Sequence, residues 1–191
     1  MARTVTPPPR RADSLRIRAR LLIEARRLLE RGELPLQLNE LARRAGVGVG
    51  TVYRHFASSR SLLETLALEP FHELLDIARA AVDEPDPWTA LERLLYAHVR
   101  LEIEHNGVRE VLAATADEQP DTAALKAELD ALTDSLLRRA RSAGAVRDGV
   151  DATDIRSLLC GIGYAARIAG SAPDEAAERY VRVLADGLRK R

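Results

Sequence analysis

A single cysteine, Cys160, stands in the 191-residue chain, so no intrachain disulfide can form and no cysteine-based metal site is expected. That usage suits a reducing cytoplasm. No uninterrupted apolar run approaches the ~18 residues of a membrane span, and the N-terminus, MARTVTPPPRR, lacks the apolar stretch of a secretion signal. The expected setting is therefore cytoplasmic, with no membrane partner. Aromatic residues are 4% of the chain although 46% is apolar, and β-branched runs are few. Ala, Leu and Arg dominate instead, which is helix-forming composition and predicts an all-α fold. Catalytic signatures are missing as well. There is no Gly-rich phosphate loop, no HExxH and no GxSxG. The four histidines are scattered, with His55 and His72 on elements separate from His98 and His105. Neither enzyme activity nor a metal or cofactor is expected.

Net charge is also absent, since 29 basic residues balance 29 acidic ones. Taken whole, that argues against a nucleic-acid protein, but the distribution points the other way. Residues 1–60 carry 13 arginines against five acidic residues, a local charge of +8, and the remainder carries −8. A basic N-terminal module on an acidic body suits a protein that meets DNA through one end only.

Within the basic module, residues 36–56 read LQLNELARRAGVGVGTVYRHF. Leu38, Leu41 and Ala42 recur at helical spacing, with Asn39, Glu40, Arg43 and Arg44 opposite. Gly46 is placed to stop this helix, because glycine adopts a positive φ cheaply, and Val47 can plug the corner that follows. A second helix is expected from Gly48 or Val49 towards Phe56, with Val52 and Phe56 inward. Two helices around a short glycine-containing turn form a helix-turn-helix, whose second helix lies in the DNA major groove. Thr51, Tyr53 and His55 can donate to phosphate oxygens, and Arg54 adds a permanent charge. The small residues Gly48, Val49 and Gly50 let the helix start approach base edges. Gln37 and Arg60, at either end of the stretch, complete the candidate DNA contacts.

The segment AGVGVGTVYRHF resembles the TetR family of bacterial transcriptional regulators, whose turn and recognition helix take the form AGVSxGTLYxHF. The resemblance covers roughly residues 15–66. Gly48 stands where the family usually has serine, and Ser59, followed by Arg60, where it usually has a phosphate-contacting lysine. The resemblance implies a homodimer on a near-palindromic operator in double-stranded DNA, repressing transcription until a small-molecule effector releases it. A dimer of the same fold with no effector is the alternative.

The rest of the chain is read as a three-helix head (13–56) and a body of about six helices (57–191) for ligand binding and dimerisation, after a disordered basic arm (1–12). The first helix should start at Asp13 or Ser14 and end at Gly32, and Ser58 should cap the fourth. Pro70 should bend or break that fourth helix. Later helices are expected over 88–106, 108–116, 121–143, 151–169 and from Ser171 to about 188. Leu125, Leu129, Leu132 and Leu136 should form one face of the long helix at 121–143.

On the helix from Trp88, the 100° rotation per residue places Trp88, Leu95, His98, Glu102 and His105 on one broad face. A carboxylate within an apolar stripe must be paired or solvated in a cavity. Glu102 therefore reads either as a His98 partner or, as the resemblance implies for this region, as part of an effector pocket lined by these five residues. Dimerisation is assigned to the last two helices, through Ile155, Leu158, Ile162, Ala165, Tyr180, Leu184 and Leu188. The first of these helices is apolar nearly all round and must be covered on both sides.

Overall fold

The computed structural model describes residues 9–170 and 172–190. Among these there are nine α-helices and no strand, apart from one isolated bridge between Val146 and Arg189. The chain divides into two compact units after Leu66.

The first unit contains α1 (Pro9–Glu30), α2 (Leu38–Ala45), α3 (Val49–His55) and the start of α4 (Ser59–Val82). α1 begins four residues before Asp13, so residues 9–12 of the expected extended arm are helical, and the remainder of that arm lies outside the described residues. Leu21, Ala25, Leu28 and Leu29 form its buried stripe. Each buried leucine contributes about 1.5–3 kcal/mol relative to an exposed one. α2 buries Leu38, Leu41, Ala42 and Ala45, and Gly46 ends it at φ 61° and ψ 40°, the left-handed conformation that a Cβ disfavours. The Gly46 N–H bonds back to Arg43, and that of Val47 to Ala42, which fixes the turn. Phe56 is fully buried and closes the unit, with the Arg18 guanidinium 4.7 Å above its ring.

Ser58 accepts a bond from the Ser61 N–H at 2.9 Å, the cap that starts α4. Pro70 does not divide the helix, which runs on for 24 residues.

The second unit continues with α5 (Pro87–Glu104), α6 (Val108–Leu112), α7 (Pro120–Ser142), α8 (Ala152–Ile168) and α9 (Pro173–Leu188). α5 lies at its centre, packed against α7, α8 and α9. Asp86 caps α5 by accepting from Thr89 N–H at 2.9 Å, with Pro87 next to it, and its bonds from the Thr89 side chain and backbone hold the Asp86 carboxyl below its ordinary range. A reciprocal capping box joins Asp151 and Asp154 at the start of α8. α9 is instead preceded by Ala172 with proline at its first turn, and Ser171 lies outside the described residues. On α7 the buried face is Thr122, Lys126, Leu129, Thr133, Leu136, Leu137 and Ala140, whereas Leu125 and Leu132 are only half-buried. The expected leucine stripe is thus rotated. Lys126 can be inside because its ammonium bonds Asp117 at 2.8 Å and the Ala114 carbonyl at 2.9 Å.

Candidate functional site

α3 gives only Val52 to the core. Gly48, Val49, Gly50, Tyr53 and Arg54 are exposed or nearly so, Thr51 and His55 half-exposed. The seven-residue helix is held by buried Val52 and by Phe56 after its end, which leaves the rest of its surface outward. Arg54 donates to Thr51 Oγ1 at 2.9 Å, which pre-orients the guanidinium along the helix. Gln37 stands at the N-cap position of α2 with its side chain exposed.

Several of the arginines that make this unit basic are already paired. Arg43 and Arg44 both bond Glu40, at 2.6 Å each, and Arg60 donates to the fully buried Glu64 at 2.8 Å. Arg60 therefore anchors the start of α4 as well as facing solvent with part of its surface. Hydrogen bonds from Arg43 and Arg44 bring the Glu40 carboxyl from its ordinary 4.5 down to about 2. Because the folded value is depressed, this pairing stabilises the unit above about pH 4.5 and is lost as pH falls towards 2. A carboxyl-resolved NMR titration should place the Glu40 midpoint well below those of the other glutamates. Glu40→Gln should remove that low midpoint.

In the second unit, the five residues expected to line a pocket do not do so together. Trp88 and Leu95 are buried in the core, the former with the Arg189 guanidinium 4.1 Å over its ring. His105 is the C-cap of α5. His98 and Glu102 do meet, His98 Nε2 lying 3.1 Å from Glu102 Oε1 with both side chains buried. The cavity beside His98 measures only about 10 Å³, at the lower edge of the ~10–15 Å³ that a single water needs. Of the two readings of Glu102, the buried His98 pair is the one that has a contact here.

The sizeable cavity lies on the other side of α5. A half-open cleft of about 680 Å³ is lined by Ile77 of α4, by Arg93, Tyr96, Ala97, Arg100, Ile103 and Glu104 of α5, and by Asp174, Ala177, Glu178 and Val181 of α9. That volume falls within the ~300–1,000 Å³ of small-molecule sites. A sequence signal for it existed, because Tyr96, Ala97 and Ile103 form a second apolar stripe among the charges of α5.

The expected dimerisation residues separate into two groups. Ile155 and Leu188 are buried within their own unit and are withdrawn from any outer face. Leu158 is 47% exposed, while Ile162, Ala165, Tyr180 and Leu184 are half-buried. Beside them Ile168 and Val183, 66% and 71% exposed, extend the same outer faces of α8 and α9, and Gly161 and Gly187 have open space where a Cβ would be.

A basic helix-turn-helix unit followed by a helical body with a cleft defines a class, the all-α DNA-binding transcriptional regulators. Residues 21–66 match the family of bacterial regulatory proteins described as tetR, and residues 86–190 match the SbtR-like transcriptional regulator C-terminal domain. The chain belongs to the TetR family of bacterial transcriptional regulators. A TetR transcription regulatory protein from Mycobacterium vanbaalenii is 33% identical over 95% of this chain and 99% of its own, with a TM-score of 0.48. A TetR transcriptional regulator from Streptomyces coelicolor is 28% identical, covering 91% of this chain and 98% of its own at a TM-score of 0.55. The ketosteroid transcriptional regulator of Mycobacterium tuberculosis shares the fold, at 21% identity, 91% and 95% coverage and a TM-score of 0.64. No curated protein sequence matches. No described helix is long and apolar enough to cross a membrane.

Proposed function

We propose that this regulator is a homodimeric repressor which occupies a near-palindromic operator through α3 and is released by a small molecule bound in the cleft between α5 and α9. The observation that carries the DNA half is the outer face of α3, where only Val52 is buried and Tyr53, Arg54, Thr51 and His55 remain for phosphates. Gly48, Val49 and Gly50 stand at the helix start, where base edges are read. Tyr53→Ala and His55→Ala should each weaken binding to all operators alike, by about 1 kcal/mol or more per lost contact to a charged phosphate. A salt titration of the double variant that matches the parent would remove α3 from the interface.

The effector half moves from the Glu102 face to the cleft, since that is where volume exists. Its lining pairs apolar surface from Tyr96, Ile103 and Val181 with charges of both signs, Arg93 and Arg100 against Glu104, Asp174 and Glu178. Such a lining suits a polar, partly aromatic compound more than an aliphatic one. Ala97→Trp, which pushes a bulky ring into the cleft, should keep operator affinity and weaken release by any compound that raises the melting temperature of the parent. Release that is undiminished in this variant would place the effector elsewhere.

A further inference from the structure

The core of the second unit holds a set of groups that the cleft and the DNA face leave unused. His98 and Glu102 stand one turn apart on α5, and Cys160 faces them from α8. One ligand atom from each lies within 4.8 Å of the other two, and all three residues are buried. The His98 pair satisfies only one oxygen of Glu102. The other, Oε2, is buried without a hydrogen-bond partner on a side chain of 0% exposure. An orphaned carboxylate oxygen in the interior is costly, and here the backbone makes room for it. A Cβ on Gly163 would collide with Oε2, so the residue at this position must be glycine for the carboxylate to stay where it is.

We infer that His98, Glu102 and Cys160 form a binding site for one divalent metal ion of borderline softness, of the zinc class, linking α5 to α8. The donor set is one imidazole nitrogen, one carboxylate oxygen and one sulfur, which selects against magnesium and calcium, whose sites are all-oxygen. Tetrahedral zinc with bonds of about 2.0–2.3 Å sets its ligand atoms roughly 3.3–3.7 Å apart. The His98 to Glu102 separation of 3.1 Å is already close to that, and the sulfur belongs to a set whose ligand atoms all lie within 4.8 Å of one another. An organic ligand does not fit here, because the adjoining cavity is only about 10 Å³.

Three guanidiniums stand nearby, Arg156 paired with Asp130, Arg109 with Glu110, and Arg167 donating to Asn106 and to the Glu102 carbonyl, although Arg109 Nη1 and Arg167 Nε are themselves buried without a partner. The ion meets a local set of one carboxylate, one imidazole and one thiol. The cysteine count argues against an all-cysteine site, but a mixed donor set requires only one.

The test uses the full chain, stripped with a chelator and titrated with Co²⁺. The expected result is a thiolate-to-cobalt charge-transfer band that saturates at one ion per chain and is bleached by added Zn²⁺. Cys160→Ser, with helix content confirmed by circular dichroism, should lose the band and bind at least about 100-fold more weakly, since removing a direct ligand costs more than removing a supporting one. Absence of the band in the parent, or a band that persists in Cys160→Ser, would overturn the site.

Discussion

Glutamate at Leu158 and Val183 together should convert the protein into folded monomers whose operator affinity falls by roughly 10²–10⁴-fold, the range lost when two linked binding modules are separated. Both positions are exposed, 47% and 71%, so the substitutions leave the unit's own core untouched. Within a dimer, the same positions would put four carboxylates into an apolar interface, where burial of an unpaired charge costs several kcal/mol each, on the order of the whole association energy. α8 and α9 are packed together, and their outward sides carry Leu158, Ile162, Ala165 and Ile168 on one helix and Tyr180, Val183 and Leu184 on the other. Small residues at Gly161 and Gly187 allow close approach of a second pair of helices. Two symmetry-related pairs would make a four-helix bundle, and a dimer reading two half-sites on one face of the duplex needs them about 34 Å apart. Sedimentation and operator binding measured together decide between the alternatives. Unaltered dimers would put the interface on another face, and dimer loss without affinity loss would show that each head binds alone.

His98→Ala should destabilise the metal-free protein by about 1–3 kcal/mol, the cost of leaving a buried carboxyl oxygen without its hydrogen-bond partner. Glu102 is fully buried, one of its oxygens is unpartnered already, and the variant would orphan the second. Replacing both residues by leucine should recover most of that loss, because apolar residues of similar volume carry no desolvation penalty. Denaturant unfolding of His98→Leu, Glu102→Leu and the double His98→Leu/Glu102→Leu gives the coupling directly. A His98→Ala loss below about 1 kcal/mol would mean that the Glu102 carboxylate finds another partner on relaxation.

The candidate DNA face was legible because it is written locally. A glycine at φ 61° after Ala45, and single inward residues at Val52 and Phe56, follow from helical spacing and from the one residue type that tolerates that backbone. The Asp86 and Asp151 caps are equally local, each set by a bond to the residue three positions on. Pro70 carries a real local cost, yet α4 continues through it, because the turns on either side are held by buried Leu62, Leu66, Leu74 and Leu75. Tertiary packing there outweighs about 3 kcal/mol of proline penalty.

The body was less legible. Periodicity shows that α5 and α8 each carry more than one apolar stripe, but not which stripe is covered by the same chain. Glu102 has the pattern of a pocket residue, yet α8 packs over it and leaves the space on the Tyr96 side. Ile155 and Leu188 have the same apolar character as Leu158 and Val183, and differ only in what lies against them. Chain-local rules therefore determined the helices, most of their ends and the outward residues of α3, since each depends on neighbours within about four positions. The cleft, the outer face of α8 and the meeting of Cys160 with His98 and Glu102 came from packing between α5, α8 and α9, because contacts between residues far apart in the chain leave no period in either helix.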